Sequence, residues 1–261
     1  MNRLLTYLVG TQIWKSIFRH GFPDNHRNKI LAVLANVVLH LHPTKVPKHG
    51  VKLSFTWCMG GLTFFLFIVE TITGVLLMFY YRPTADYAHV DIQALREHVP
   101  LGIMREIHRW GAHAMVITVW LHMFRVFMTG SYKPPREFNW SVGVILLVLT
   151  LLLSFTGYLL PWDQLAIWAI TVGSNMARAT PFVGHEGPGF QLMALPGGIQ
   201  LIHAGSDAKF QLLGGRFVGE AALLRFYVLH CVAIPLGAAF LMALHFWRVR
   251  KDGGISMPKT Q

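Results

Sequence analysis

Charge and cysteine are what this 261-residue chain has least of. Charged residues make up 13% of it, about half the share of an ordinary soluble domain. With 53% hydrophobic residues beside so little charge, the composition excludes a typical water-soluble fold and places the chain in a bilayer. Two cysteines, Cys58 and Cys231, exclude a disulfide framework. No cleavable signal peptide is apparent, because the first 50 residues are polar and basic with only short apolar stretches. Internal repeats and low-complexity tracts are also lacking. Acidic residues number 12 against 23 Lys and Arg, a net charge of +11. That excess sits beside apolar runs, so it indicates topology and anionic lipid headgroups rather than nucleic acid.

Four apolar runs are long enough to cross a hydrocarbon core of ~30 Å: residues 55–80, 107–128, 142–160 and 221–247. We call them spans A to D and expect an all-α, integral membrane four-helix bundle. An even number of spans leaves both termini on one side. Basic residues mark that side as the cytoplasmic, negative one: Arg3, Lys15, Arg19, Arg27, Lys29, Lys45, Lys48 and Lys52 before span A, Lys133 and Arg136 after span B, and Arg248, Arg250, Lys251 and Lys259 after span D. Residues 1–53 form a basic N-terminal segment. Trp14, Ile17, Phe18 and the stretch from Ile30 to Leu41 suit an interfacial amphipathic helix. Residues 54–261 form the four-span domain, with a long loop at 161–220 on the positive side. Its Gly and Pro clusters, Gly184-His185-Glu186-Gly187-Pro188-Gly189 and Pro196-Gly197-Gly198, mark turns between short surface helices.

Within spans B and D four histidines stand out. His108 and His122 are 14 apart, and His230 and His245 are 15 apart. At ~1.5 Å rise per residue each pair spans roughly 21 to 23 Å, so both helices present imidazoles at the same two depths. Two such helices side by side make two stacked bis-histidine haem sites, low-spin and suited to electron transfer. Glycines repeat the spacing: Gly60 and Gly74 in span A, and Gly143 and Gly157 in span C, are each 14 apart. They either let a flat macrocycle approach the backbone or serve small-residue helix packing. Arg109 and Arg225 near one pair, and Arg125 near the other, are either propionate partners or headgroup anchors. Glu70 falls near the middle of span A, where an ionised carboxylate is costly; it is expected to be protonated or hydrogen-bonded inside the bundle.

The blocks PKHGVKLSFTWCMGG, TGVLLMFYYRPT, REIHRWGAH, LHMFRVFMTGSYKPPRE, FTGYLLPWDQLAIWA, LLRFYVLH and RVRKDGGIS, spread over residues 43–258, resemble cytochrome b of quinol-oxidising bc complexes. The similarity is to its split form, the b6 type, whose ligand helix also has the 15-residue gap. The resemblance implies a positive-side haem b on His108 and His230 and a negative-side haem b on His122 and His245. It also implies a haem c held by a single thioether from Cys58, although no Cys-x-x-Cys-His motif is present. Otherwise Cys58 is a small buried thiol, which is the only reading of Cys231. The implied quinol-oxidation site includes Pro161, Trp162, Asp163, Gln164 and Trp168, residues that would equally suit an interfacial belt. Arg250, Lys251 and Asp252 follow the ligand helix where quinone reduction or proton uptake is implied.

By the same resemblance, quinol oxidation on the positive side is bifurcated. One electron goes to a Rieske iron-sulfur protein and the other across the membrane to a quinone, with proton translocation. Implied partners are a subunit IV-like chain carrying the second half of cytochrome b, the Rieske protein, a cytochrome c-type acceptor, membrane lipids and a second copy of the complex. The expected location is a bacterial inner membrane rather than a thylakoid. Two departures stand out. Where the b6 type has an acidic residue upstream of Cys58, this chain has His40-Leu41-His42-Pro43. The loop after span C is about 15 residues longer than in the b6 type and carries His185, Glu186, His203 and Asp207. Two other readings compete: a di-haem membrane anchor linking a dehydrogenase to the quinone pool, and a haem-free bundle whose histidines form polar contacts. The anchor does not account for Pro161-Trp162-Asp163-Gln164.

Overall fold

The structure, a computed structural model, describes residues 7, 9–11, 24–35, 41, 48, 52–252 and 254–255. Trp14, Ile17, Phe18, His40 and His42 lie outside the described residues. Within the N-terminal segment α1 covers His26–Ala35, and Asn25 caps it by accepting from the Asn28 N–H at 2.8 Å. A single turn, α2 (Leu53–Thr56), precedes the first long helix.

Among the described residues, four helical stretches are long and apolar enough to span a membrane: Met59–Met78, Pro100–Met128, Glu137–Leu159 and Glu220–Lys251. The first is helix α3. It starts later than expected because Trp57 and Cys58 both take left-handed backbone conformations, with φ of 52° and 53°, which break the run between α2 and α3. The short amphipathic α4 (Ala88–Glu97) follows. Span B belongs to α5, Val99–Met128, whose 30 residues begin well before the apolar run. At ~45 Å such a helix outreaches the hydrocarbon core. Its first turns carry Arg105, Glu106 and Arg109, which hide it from a hydropathy scan. Span C is α6, Glu137–Leu159. Span D is compound: α9 (Glu220–Val228), a π turn at Leu229–Ala233, and α10 (Ile234–Lys251).

Between spans C and D the loop holds α7 (Gln164–Arg178) and α8 (Ala208–Leu213), capped by Asp163 and Asp207, whose carboxylates accept from Ala166 N and Phe210 N, both at 2.8 Å. A departure from the all-helical expectation is a hairpin, β1 (Ala194–Leu195) against β2 (Ile199–Gln200), antiparallel. Pro196-Gly197-Gly198 turns it, and Gly197 and Gly198 take φ of 97° and 80°, which only glycine adopts freely.

The chain forms two compact units. One comprises Met1–Met59, His122–Leu146 and Ala239–Gln261; the other comprises Gly60–Leu121 and Leu147–Ala238. Two buried clusters organise the second unit. Leu159, Ala166, Ile170, Leu213, Ala222 and Phe226 bind α7 and α8 to the ends of spans C and D. Tyr81, Ala88 and Leu223 seat α4, and the Tyr81 hydroxyl donates to the Leu160 carbonyl at 2.7 Å. Burial of each large aliphatic here contributes ~1.5–3 kcal/mol.

The loop residues left without a role make contacts within the loop. His185 Nδ1 meets the Asp207 carboxylate, which is 1% exposed, and Arg178 pairs with Glu186. His203 Nδ1 accepts from Gly205 N at 3.1 Å. Together these contacts lock the extended segment.

Candidate functional site

His108 in α5 and His230 in the π turn face each other, with ring centres 6.2 Å apart at an interplanar angle of 84°. His122 and His245 repeat the arrangement at 6.4 Å and 79°. With a metal–nitrogen bond of ~2 Å on each side and each ring centre about 1.2 Å behind its nitrogen, an iron midway would hold the ring centres roughly 6.4 Å apart. Both pairs therefore fit a six-coordinate, bis-imidazole iron of the haem type.

Hydrogen bonds orient the first pair. His108 Nδ1 lies 2.9 Å from Thr73 Oγ1, and Thr73 already donates its own proton to Val69 O at 2.7 Å, so its lone pair is available to the ring. Thr73 is also the buried residue of α3. His230 Nδ1 lies 3.1 Å from Thr156 Oγ1, which donates to Leu152 O at 2.8 Å, and 3.1 Å from the Leu153 carbonyl. Acceptors at Nδ1 fix the tautomer and leave Nε2 for a metal. In the second pair His245 Nδ1 is buried and, among the described residues, makes no hydrogen bond of ordinary geometry. Neither threonine stood out in the sequence; the signal was the repeated Thr-Gly step, Thr73-Gly74 and Thr156-Gly157.

Two of the glycines, Gly157 and Gly74, make room for the imidazoles themselves, whereas Gly143 leaves space for an ordinary contact. A Cβ at Gly157 would stand 2.5 Å from His230 Cε1, one at Gly74 would stand 3.1 Å from His108 Cε1, and one at Gly143 would stand 3.8 Å from His245 Cε1. Glu70, expected inside the bundle, points its Oε2 at His108 Nδ1 from 3.1 Å.

The π turn explains the unequal spacing. A π turn absorbs one more residue than an α turn, and this one contains His230 and lies above His245 in the chain. Fifteen residues of span D thus cover about the rise that 14 cover in α5.

The remaining candidates divide. Cys58 is an exposed free thiol in the break before α3, and the ring of its neighbour Trp57 lies under the Arg125 guanidinium, 4.9 Å from the centroid. Arg125 follows His122 by one turn of α5. Arg109 is paired with Glu106 at 2.5 Å and stacked on Trp110. Glu106 also holds the less exposed Arg105 at 2.7 Å. Arg225 donates to the Gln211 carbonyl and packs at Gly214, so the structure places it against α8. Asp163 caps α7, Trp162 takes a φ of 49°, and the Pro161 carbonyl is 3.2 Å from His89 Nδ1. Gln164 is exposed, and α7 presents a stripe of Leu165, Trp168, Val172 and Met176, all exposed, opposite its buried face. At the end of span D, Asp252 pairs with Arg248 at 2.9 Å and Lys251 lies over the Trp247 ring at 4.8 Å.

Four spans, with two helices each giving one histidine to two facing pairs, define a membrane b-type cytochrome. The sequence model described as Cytochrome b/b6/petB matches residues 44–188, and the chain belongs to the cytochrome b/b6 family. It is 40% identical over 213 residues to cytochrome b6 of Heliomicrobium gestii, covering 81% of this chain and 88% of that protein. To cytochrome b6 of a Synechocystis species it is 40% identical over 209 residues, covering 80% and 83%. A solved structure, "Hyperthermophilic respiratory Complex III", superposes with a TM-score of 0.67 at 24% identity. It covers 98% of this chain but only 58% of that one, and the likeness bears on the fold alone. Family membership implies haem b.

Proposed function

We propose that this chain is the di-haem subunit of a quinol:cytochrome c-type oxidoreductase that bifurcates the electrons of a quinol. The observation that carries the reading is the pair of facing histidines at 6.2 Å and 6.4 Å between ring centres. His108 with His230, and His122 with His245, would each hold one haem iron. Two haems b held there, and a haem c joined to Cys58 by one thioether, supply one-electron carriers across the membrane.

The protein's own part is positioning. Thr73 and Thr156 hold the Nδ1 protons of their ligands and so aim the opposite nitrogens. Gly74 and Gly157 clear the space beside the rings of the first pair, and Gly143 and Gly60 are assigned to haem contact at the second pair and beside the Cys58 break. Quinol binds on the positive side against Pro161, Trp162, Asp163, Gln164 and Trp168; the exposed apolar stripe of α7 supports an apolar wall for the headgroup. There the quinol's two electrons part, one to a Rieske iron-sulfur partner and one into this chain, and its two protons leave on that side. On the negative side Arg250, Lys251 and Asp252, with His40 and His42, serve quinone reduction and proton uptake. Arg109, Arg125 and Arg225 are assigned to propionates, although in this structure Arg109 and Arg225 are held by Glu106 and Gln211.

The four-span domain at 54–261 acts with a subunit IV-like partner, a Rieske protein and a cytochrome c-type acceptor, as a homodimer among anionic lipids. It resides in a bacterial inner membrane with both termini cytoplasmic, and the basic segment at 1–53 lies along the membrane surface. The test is a reduced-minus-oxidised pyridine haemochrome spectrum together with a haem stain of the denatured chain and of Cys58→Ser. Two haems b per chain and a stained band lost in the variant are expected. Haem b without covalent haem would remove the role of Cys58, and no haem at all would overturn the reading.

A further inference from the structure

The two ligands of the first iron site are built alike except at one point. Each Nδ1 meets a threonine hydroxyl, Thr73 for His108 and Thr156 for His230. Each also has a second acceptor. For His230 it is the neutral Leu153 carbonyl at 3.1 Å, whereas for His108 it is a side-chain carboxyl, Glu70 Oε2, at 3.1 Å. The Glu70 side chain is 13% exposed, and its Oε1 is buried without a hydrogen-bond partner among the described residues. A slot is built for it. A Cβ at Gly111, one turn along α5 from His108, would collide with Glu70 Oε1. The same face of α5 therefore carries both the ligand and the gap that seats the carboxyl against it. Nothing in the packing of an apolar span calls for a carboxyl at this depth, and a buried one is costly.

We propose that Glu70 is a positioning residue for the His108 side of the iron site: its carboxyl shares the Nδ1 proton of His108 and lowers the reduction potential of the haem held there. This inference rests on the ligand assignment proposed above. A ring nitrogen whose proton is drawn toward a carboxyl becomes a stronger donor through its other nitrogen, and a stronger donor favours the ferric state. The asymmetry makes His108 the stronger of the two axial ligands. The haem between His122 and His245 has no such carboxyl among the described residues that contact its ligands.

The experiment is a potentiometric titration of the full complex, followed optically, for wild type, Glu70→Gln and Glu70→Leu. The two haems b are told apart by a His230→Leu variant. Removing the hydrogen-bond partner of a metal-ligating histidine typically changes metal affinity or activity 10–100-fold, and the lower end of that range sets the scale here. Glu70→Leu is expected to shift the equilibrium of the His108/His230 haem about tenfold toward ferrous, an upward move of about 59 mV for one electron. Glu70→Gln, which keeps an acceptor oxygen of similar shape, is expected to shift it the same way by less, and the other haem should hold its potential. An unmoved His108/His230 potential in both variants, or an equal shift of both haems, would overturn the proposal. So would loss of haem in Glu70→Leu with an unmoved potential in Glu70→Gln, which makes the residue merely structural. If Glu70→Leu loses the haem while Glu70→Gln shifts it upward, the proposal stands. Absence of a bis-imidazole signal in wild type would instead overturn the ligand assignment on which it rests.

Discussion

Adding one methyl group at each of four glycines should separate haem loss by geometry alone. At Gly157 the new Cβ would stand 2.5 Å from His230 Cε1 and 3.1 Å from both ring nitrogens. Carbon contacts settle at about 3.5–4.0 Å, so the imidazole must recede by about 1 Å. A metal–nitrogen bond is only ~2 Å long, and an iron also held from the other side by His108 cannot follow. At Gly74 the closest ring atom is 3.1 Å away and the nitrogens are at 3.8 and 3.9 Å, so a shift of a few tenths of an ångström relieves the contact. Gly143 leaves 3.8 Å to His245 Cε1, which is ordinary contact, and Gly61 has nothing within 4 Å.

Overpacking of this kind typically costs 1–3 kcal/mol, and ~1.4 kcal/mol is a tenfold change in occupancy. Gly157→Ala should lose most of the His108/His230 haem, Gly74→Ala should lose part of it, and Gly143→Ala and Gly61→Ala should keep two haems b per chain. Haem-to-protein ratios from pyridine haemochrome spectra of the purified variants provide the assay. Helix propensity works the opposite way, because alanine stabilises a helix interior by roughly 0.5–1 kcal/mol relative to glycine. A weakened helix therefore cannot explain a loss at Gly157. If Gly157→Ala retained both haems b at full occupancy, the cradle reading would be wrong.

His230→Leu should remove one haem b and leave the one between His122 and His245; an optical spectrum showing both lost, or neither, would break the pairing. Deleting Val232 should let the π turn close to an α turn and keep both pairs facing, whereas deleting Val116 in α5, where no wide turn can absorb the change, should rotate His122 by ~100° and cost the second haem, both read from the same spectra. The third concerns Asp91, which accepts from Arg82 Nη2 at 2.6 Å, from Nε at 3.0 Å and from its backbone N–H at 2.9 Å. The Arg82 hydrogen bond, more than any other cause, holds the Asp91 carboxyl below its ordinary value. Its contribution to seating α4 is therefore complete above the unfolded carboxyl range, near pH 4, and is lost as pH falls through the lower folded value. Hydrogen exchange of α4 amides should accelerate on acidification in wild type and show much less of this acid step in Asp91→Asn; identical profiles would count against the pair.

What the sequence made legible is what repeats along a helix. His108, His122, His230 and His245 could be read because helical rise converts residue spacing directly into depth, and the four apolar runs could be read because a bilayer core requires their length. Harder to read is whatever depends on a neighbouring helix. Thr73 and Thr156 are small polar residues in apolar runs, and only a partner imidazole gives them a purpose. Arg225 lies five residues before His230, yet the Gln211 carbonyl takes it. Asp163, expected at a quinol site, has a backbone duty first, because four N–H groups at the start of α7 need acceptors. The one-residue discrepancy between spans B and D was visible as a number without a cause. Two straight α-helices carrying 14 and 15 residues between ligands would turn the fourth histidine ~100° away from its partner. The 6.4 Å between the His122 and His245 rings is therefore compatible with that sequence only because a wide turn at His230 takes up the extra residue. The irregularity lies at the ligand because the register of the second pair demands that it lie somewhere between the two histidines.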